Sequence, residues 1–156
     1  MRARSIAAAA ALAASLMGFS QLAASADAPT SVVINAHPCV FAPQEIGPWE
    51  ASGAINDSGT YVKTGGAASP PKATFFTVET VREEFLFTGS QGTFTVHAEE
   101  RAFGPGVWQI EPGTGAYMDT SGHGDTAFFS TPTPNSCTFG FTNFTFALTG
   151  IASKVG

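Results

Sequence analysis

A chain of 156 residues with 12% charged and 44% hydrophobic residues is long enough to bury a single core, and it carries about half the charge of an ordinary soluble domain, roughly 25%. Its formal net charge of −5 and its lack of a basic cluster exclude the electrostatic footprint of a nucleic-acid or anionic-membrane binder. Fourteen Phe and abundant Thr favour strands over helices.

Arg2 and Arg4 precede an Ala-rich apolar run over residues 6–19, and Ala24-Ser25-Ala26 is a small-x-small cleavage site. A basic start, a short apolar centre and such an end are the parts of a secretory signal peptide. A membrane anchor is the competing reading, but the run is shorter than the ~20 residues a spanning helix needs, and the polar Ser20 and Gln21 come directly after it. Residues 1–26 are therefore expected to be a signal peptide. Residues 27–156 are expected to be one domain, secreted or extracytoplasmic, with no membrane association after cleavage. That domain holds five Lys/Arg against twelve Asp/Glu, a formal net charge of −7.

Cys39 and Cys137 are the two cysteines, and an even count in an exported protein points to a disulfide. A redox or metal pair would call for C-x-x-C spacing, which is absent. Closing a loop of about 99 residues removes up to about 4–5 kcal/mol of unfolded-state entropy, fastening the first strand region to the last.

In chain order, residues 30–35 (TSVVIN) form the first expected strand, stopped by His37-Pro38, and residues 39–47 read as a loop. Residues 49–55 (WEASGAI) alternate as a strand, with Trp49, Ala51, Gly53 and Ile55 on one side. Asn56-Asp57-Ser58-Gly59 is strong turn chemistry. Residues 60–63 continue as a hairpin arm, and residues 64–72 (TGGAASPPK) are too poor in apolar side chains for a core and read as a surface loop. Residues 73–88 read as one long strand, bulged near Arg82-Glu83-Glu84, with Thr77, Glu79, Val81 and Glu83 sharing a face.

Gly89-Ser90-Gln91-Gly92 is a hairpin turn, and residues 93–102 give the clearest period of two: Phe94, Val96 and Ala98 alternate with Thr95, His97 and Glu99. Residues 107–110, 126–130 and 138–151 complete the strands, the last with a phase change at Asn143, and residues 131–135 form a Pro-rich loop. About eight strands with no helix and no repeat predict an all-β fold. A small closed antiparallel barrel hides the Phe set and leaves no open edge; a β-sandwich is the alternative.

The segment Gly92-Thr93-Phe94, Gly106-Val107-Trp108-Gln109-Ile110, Gly113-Thr114-Gly115-Ala116-Tyr117 and Gly122-His123-Gly124, together with the earlier Ser52–Gly59 hairpin, resembles bacterial exported proteins of the allene oxide cyclase-like barrel superfamily, which includes the plant dirigent proteins. The resemblance covers most of the domain, from about Trp49 to Phe146, through turn and core motifs. It implies an eight-stranded antiparallel barrel with a central cavity, which in plant members steers a reactive hydrophobic intermediate. None of the plant catalytic residues maps onto a position here, and fold analogy alone does not supply chemistry.

Among candidate groups, His97, Glu99 and Arg101 project to one face of their strand, and Glu79 and Glu83 share a face of the strand before it. An acid, a base and a cation brought together there would suit general acid–base work. Phe94, Val96 and Ala98 are the natural inward set, which puts His97 outside among cross-strand ion pairs of small worth. Of three His, none stands at metal-ligand spacing, so no metal and no cofactor is expected. Gly113-Thr114-Gly115 leads into no helix and is followed by no phosphate-binding Lys, so it reads as a tight corner.

Trp49, Phe94, Trp108 and Tyr117 are the candidate ligand-binding set. Large aromatics in a barrel suit a small apolar ligand, with Tyr117 supplying a hydroxyl; equally, they fill a barrel this small. The leading expectation is an exported barrel that binds a small apolar molecule or serves as an extracellular accessory domain, without catalysis. The second is an isomerase or cyclase acting on a hydrophobic intermediate, with Glu79, Glu99 or Tyr117 as its polar group. The third is a surface interaction protein with a filled barrel, using residues 64–72 and 131–135.

Overall fold

A computed structural model of the chain describes residues 28–39, 45–69, 79–101, 105–130, 144–153 and 155. The expected signal segment, the Pro-rich loop at 131–135, Asn143 and Cys137 lie outside the described residues.

The described residues form eight strands: β1 (Thr30–Ala36), β2 (Ile46–Gly53), β3 (Ser58–Ser69), β4 (Thr80–Gly89), β5 (Gly92–Arg101), β6 (Gly106–Glu111), β7 (Gly122–Ser130) and β8 (Phe144–Ala152). One three-residue 3-10 turn, Gly115–Tyr117, sits between β6 and β7. Every strand pairs antiparallel with its neighbour in sequence, and β8 returns to β1 through the register Thr30↔Ala152 to Ala36↔Phe146. The sheet is therefore a closed barrel rather than a sandwich, and closure leaves no unpaired edge.

This topology gives the barrel two unlike ends. The turn end carries the connections β2–β3, β4–β5 and β6–β7, the start of β1 and the end of β8. The loop end carries β1–β2, β3–β4, β5–β6 and β7–β8, each of which includes residues outside the described set.

Several strand bounds differ from those the sequence suggests. Residues 64–69 belong to the barrel wall, paired with β4 from Gly65↔Glu84 to Ser69↔Thr80. β7 begins at Gly122, four residues before the expected Thr126. In both cases Gly- and Ala-rich sequence joins the sheet because neighbouring strands supply the backbone partners, which intrinsic preference does not encode. Residues 73–78 of the expected long strand lie outside the described residues. The register shift falls on β3, between Lys63 and Gly65, rather than on β4 at Arg82–Glu84. It leaves Thr64 outside the ladder, where its hydroxyl donates to Glu84 Oε1 at 2.8 Å.

The core is a ladder of rings running the length of the barrel. Centroid separations are 4.8 Å for Tyr117–Phe94, 5.1 Å for Phe94–Phe87 and 5.4 Å for Phe87–Tyr61. They continue at 5.9 Å for Tyr61–Phe85, 5.5 Å for Phe85–Phe146 and 4.7 Å for Phe146–Phe128. Trp49 meets Phe87 and Phe94 edge-on, both at 5.5 Å, an arrangement ring quadrupoles favour.

Candidate functional site

The turn end is sealed. Asp57, in the β2–β3 turn, accepts at Oδ1 from Ser58 N–H (2.8 Å), Ser90 N–H (3.2 Å) and Ser90 Oγ (2.7 Å). At Oδ2 it accepts from Gln91 N–H (3.1 Å) and Tyr117 O–H (2.7 Å). One carboxylate thus ties together three turns. Partial burial opposes its ionisation, but the hydrogen bonds from Ser90, Tyr117, Ser58 and Gln91 outweigh that and hold it at about 2. The Gly-Thr-Gly corner is part of this seal: Gly115 takes a φ of 63°, where a glycine is least strained, and Ala116 N–H donates to Gln91 O at 2.9 Å.

This placement decides the role of the aromatic candidates. Trp49, Phe94, Trp108 and Tyr117 are all at most 2% exposed. Trp49 Nε1 donates to Thr88 O and Trp108 Nε1 to Thr149 O, both at 3.1 Å, and the Tyr117 hydroxyl is taken by Asp57. Trp49, Phe94 and Tyr117 pack inside the barrel, whereas Trp108, equally buried, also borders a hollow on its outer surface. Burial and the neighbouring Asp57 charge push the Tyr117 phenol above its ordinary range, so it is a hydrogen-bond donor of the seal rather than a proton shuttle.

The other acid candidates lie outside the wall. Glu79 is exposed at the bend before β4. Glu99 is on the outer face, with Arg82 Nε at 3.1 Å and Arg101 Nε at 3.6 Å. His97 lies beside it, its Nε2 2.8 Å from Glu111 Oε2 and its Nδ1 3.9 Å from Glu84 Oε2. Glu79 and Glu83 do not join this group. It is Glu84 and Arg82 that share the outer face, while Glu83 points into the barrel. A hollow of about 480 Å³ crosses this outer surface, bordered by Arg82, Glu84, His97, Glu99, Gln109 and His123. Among the described residues, His, Cys, Asp and Glu form no metal-binding group.

Polar chemistry inside the barrel is concentrated toward the loop end, and it follows from the same alternation that builds the core. Along β5 the inward positions read Phe94, Val96, Ala98 and then Glu100. On β4 they read Phe87, Phe85 and then Glu83; on β3, Tyr61 and then Lys63. On β2 the inward row Trp49, Gly47 extends back to Glu45, and on β7 it passes Thr126 before reaching Phe128.

These groups meet one another. Tyr61 O–H donates to Glu45 Oε1 at 2.7 Å, and Lys63 Nζ is paired with Glu83 Oε1. Gly106 stands opposite Thr126 in the β6–β7 register. A Cβ on it would collide with the Thr126 hydroxyl and the Glu100 carboxylate, so its missing side chain is what lets these two close over the wall. Thr126 faces the Glu100 carboxyl without well-formed hydrogen-bond geometry. Among the described residues, Thr126 Oγ1 and Glu100 Oε1 are both buried with no hydrogen-bond partner.

Burial raises Glu45, 6% exposed, above the ordinary carboxylate range. The Tyr61 hydrogen bond and Lys63 counter this only in part, and the negative Glu83 adds to it. Burial also raises Glu100; Thr126 opposes the shift and Glu83 reinforces it. Tyr61 is pushed up by burial and by Glu45.

Beyond Thr126 on β7, and on β8 beside it, the wall is apolar. Phe128, stacked on the fully buried Phe146, is inward-facing yet 48% exposed, and Phe144 is 43% exposed. A hollow of about 430 Å³ runs along β3 from Lys63 to Ala68 and reaches Val81. The loop-end part of the interior, the loop-end chamber, thus carries Glu45, Lys63, Glu83, Glu100 and Thr126, with Phe128 stacked on Phe146 and with Tyr61 and Phe85 further in.

Sequence reasoning missed Glu45, Tyr61, Lys63, Glu100 and Thr126, and placed Glu83 on the wrong face. For Glu100 the signal was present: the Phe94, Val96, Ala98 alternation continued by one step points it inward. For Glu83 the cue was present too: stepping back from Phe87 and Phe85 points it inward. No protein-family model, curated protein or solved structure matches the chain.

Proposed function

We propose that this protein is an exported binding barrel that receives a small, largely apolar molecule in its loop-end chamber, with the acid-rich side engaging the molecule's polar end. The observation that carries the proposal is the change in inward residues, from packed rings to Glu45, Lys63, Glu83, Glu100 and Thr126, while the strands are still inside the barrel. Burying carboxylates costs stability that apolar residues of similar volume would not, and such local conflicts between sequence and stability mark functional sites. The half-exposed Phe128 beside them supplies the apolar contact a ligand pocket needs. The resemblance to the allene oxide cyclase-like superfamily supports the same reading, since it implies this architecture with a central cavity.

Native mass spectrometry of protein purified from culture medium tests the proposal. A co-purifying apolar molecule, or uptake of one from an added lipid and terpenoid panel, is expected. A protein that stays empty throughout would refute it. The same spectrum bears on two linked inferences. Cleavage after Ala26 gives a chain starting at Asp27, and a Cys39–Cys137 disulfide gives a mass two hydrogens lower than the dithiol; a chain still beginning at Met1, or two free thiols, overturns them.

A second reading, isomerase or cyclase chemistry, rests on the Tyr61–Glu45 pair, a buried acid and phenol 2.7 Å apart inside the chamber. It requires turnover that Tyr61→Phe abolishes without loss of ligand binding.

A further inference from the structure

We infer that the chamber selects a ligand with a cationic, amine-type head on an apolar body; this rests on the binding reading above and specifies its ligand class. Two observations carry it. The first is charge: among the described inward groups, Glu45, Glu83 and Glu100 face one cation, Lys63, which Glu83 already engages. Glu45 has Tyr61 as its donor. Glu100 has only the neutral Thr126 hydroxyl beside it.

The second observation is independent of charge. The Thr126 hydroxyl is on a residue only 4% exposed, and both it and Glu100 Oε1 are buried without a partner. Buried polar atoms of native proteins are nearly all satisfied, and exceptions call for an explanation such as a missing water or ligand. Both atoms can accept a hydrogen bond, and the Glu100 carboxylate meets the Thr126 hydroxyl over Gly106 through its other oxygen, Oε2. An ammonium group, with several N–H donors and a positive charge, satisfies both at once and neutralises the acid excess. A carboxylate head would meet Glu100 and Glu83 with like charge. A hydroxyl head brings one donor and no charge. The apolar body lies along Phe128 and Phe146, beyond Thr126 on the same side of the barrel.

The test compares dodecylamine, dodecanol and dodecanoate, which share a chain and differ in the head, by titration against the intrinsic Trp fluorescence of the intact protein with calorimetry in parallel. Dodecylamine is expected to bind roughly tenfold tighter than dodecanol, the scale of one charge-assisted contact, and dodecanoate weakest. Glu100→Gln is expected to remove most of that preference. Thr126→Val provides a second variant if Glu100→Gln does not fold, and the wild-type ranking decides the question without either. Dodecanol or dodecanoate binding as tightly as dodecylamine overturns the amine inference and leaves the binding barrel standing. Failure of all three to bind overturns both.

Discussion

Replacing Asp57 with Asn should unlatch the turn end, because the two donors at Oδ2, Gln91 N–H and Tyr117 O–H, would face an amide NH2 instead of an acceptor. The donors at Oδ1, from Ser58 and Ser90, keep a carbonyl oxygen but lose the charge. Stranding a buried donor costs about 1–3 kcal/mol. Tyr117 is fully buried, whereas the partly exposed Gln91 amide can recover some of the loss from water. The total is about 3 kcal/mol, or roughly a 10 °C fall in Tm for a domain of this size. Tyr117→Phe removes one bond and costs about 1.5 kcal/mol. In the Asp57→Asn background the phenol has become a liability, so Tyr117→Phe should there cost nothing or restore stability. Urea denaturation of the four proteins measures this coupling, expected to be about 1 kcal/mol or more. The pH dependence has a definite sign. A carboxyl held at about 2 contributes stability above its unfolded value of ~3.9 and loses it as pH falls toward 2. The acid limb of the wild-type pH–stability curve should therefore be shallower in Asp57→Asn. Additivity of the two substitutions within about 0.5 kcal/mol would refute the latch.

Other substitutions separate the two ends of the barrel. Glu45 and Glu100, both raised by burial, contribute stability that is present below their unfolded range and lost as pH rises through their folded values. The Glu45→Gln/Glu100→Gln protein should therefore lose less stability than wild type between about pH 5 and pH 8; parallel curves would show that the two acids are not buried as described. Gly89→Ala places a Cβ against the Asp57 carboxylate and the Trp49 ring and should cost about 1–3 kcal/mol. By contrast Gly65→Ala, whose Cβ would meet Glu84 at an ordinary 3.5 Å, should be tolerated in the same denaturation assay. His97→Ala removes exposed ion pairs with Glu84 and Glu111 and should change stability by less than about 0.5 kcal/mol, with dodecanol affinity unaltered in a fluorescence titration.

The barrel was legible because its strands advertise themselves. Phe94, Val96 and Ala98 alternate cleanly, Gly89 to Gly92 is a hairpin turn on sight, and the number of Phe requires an interior. Residues 64–69 and 122–125 were not legible as strands, because Gly and Ala carry almost no strand preference and enter the sheet only when β4, β6 and β8 offer hydrogen-bond partners. The same limit hid the chamber. Lys63 and Glu83 point inward by alternation from Tyr61 and from Phe85, but that they meet is a property of two paired strands rather than of either alone. Asp57 was visible as a turn former, but its donors from Ser90, Gln91 and Tyr117 come from turns 33 to 60 residues away. The aromatic candidates do lie inside the barrel, as their alternation suggests. Only the packing of Trp49, Phe94 and Tyr117 against one another shows that they fill it.

The central claim is that the loop-end chamber, rather than the outer hollow, takes up an apolar ligand, and amide and side-chain NMR shifts during a dodecanol titration test it most directly. The account predicts saturable shifts at Lys63, Glu100, Thr126 and Phe128, with His97, Gln109 and His123 unmoved. Shifts confined to the outer three, or none at any concentration short of micelle formation, would contradict it.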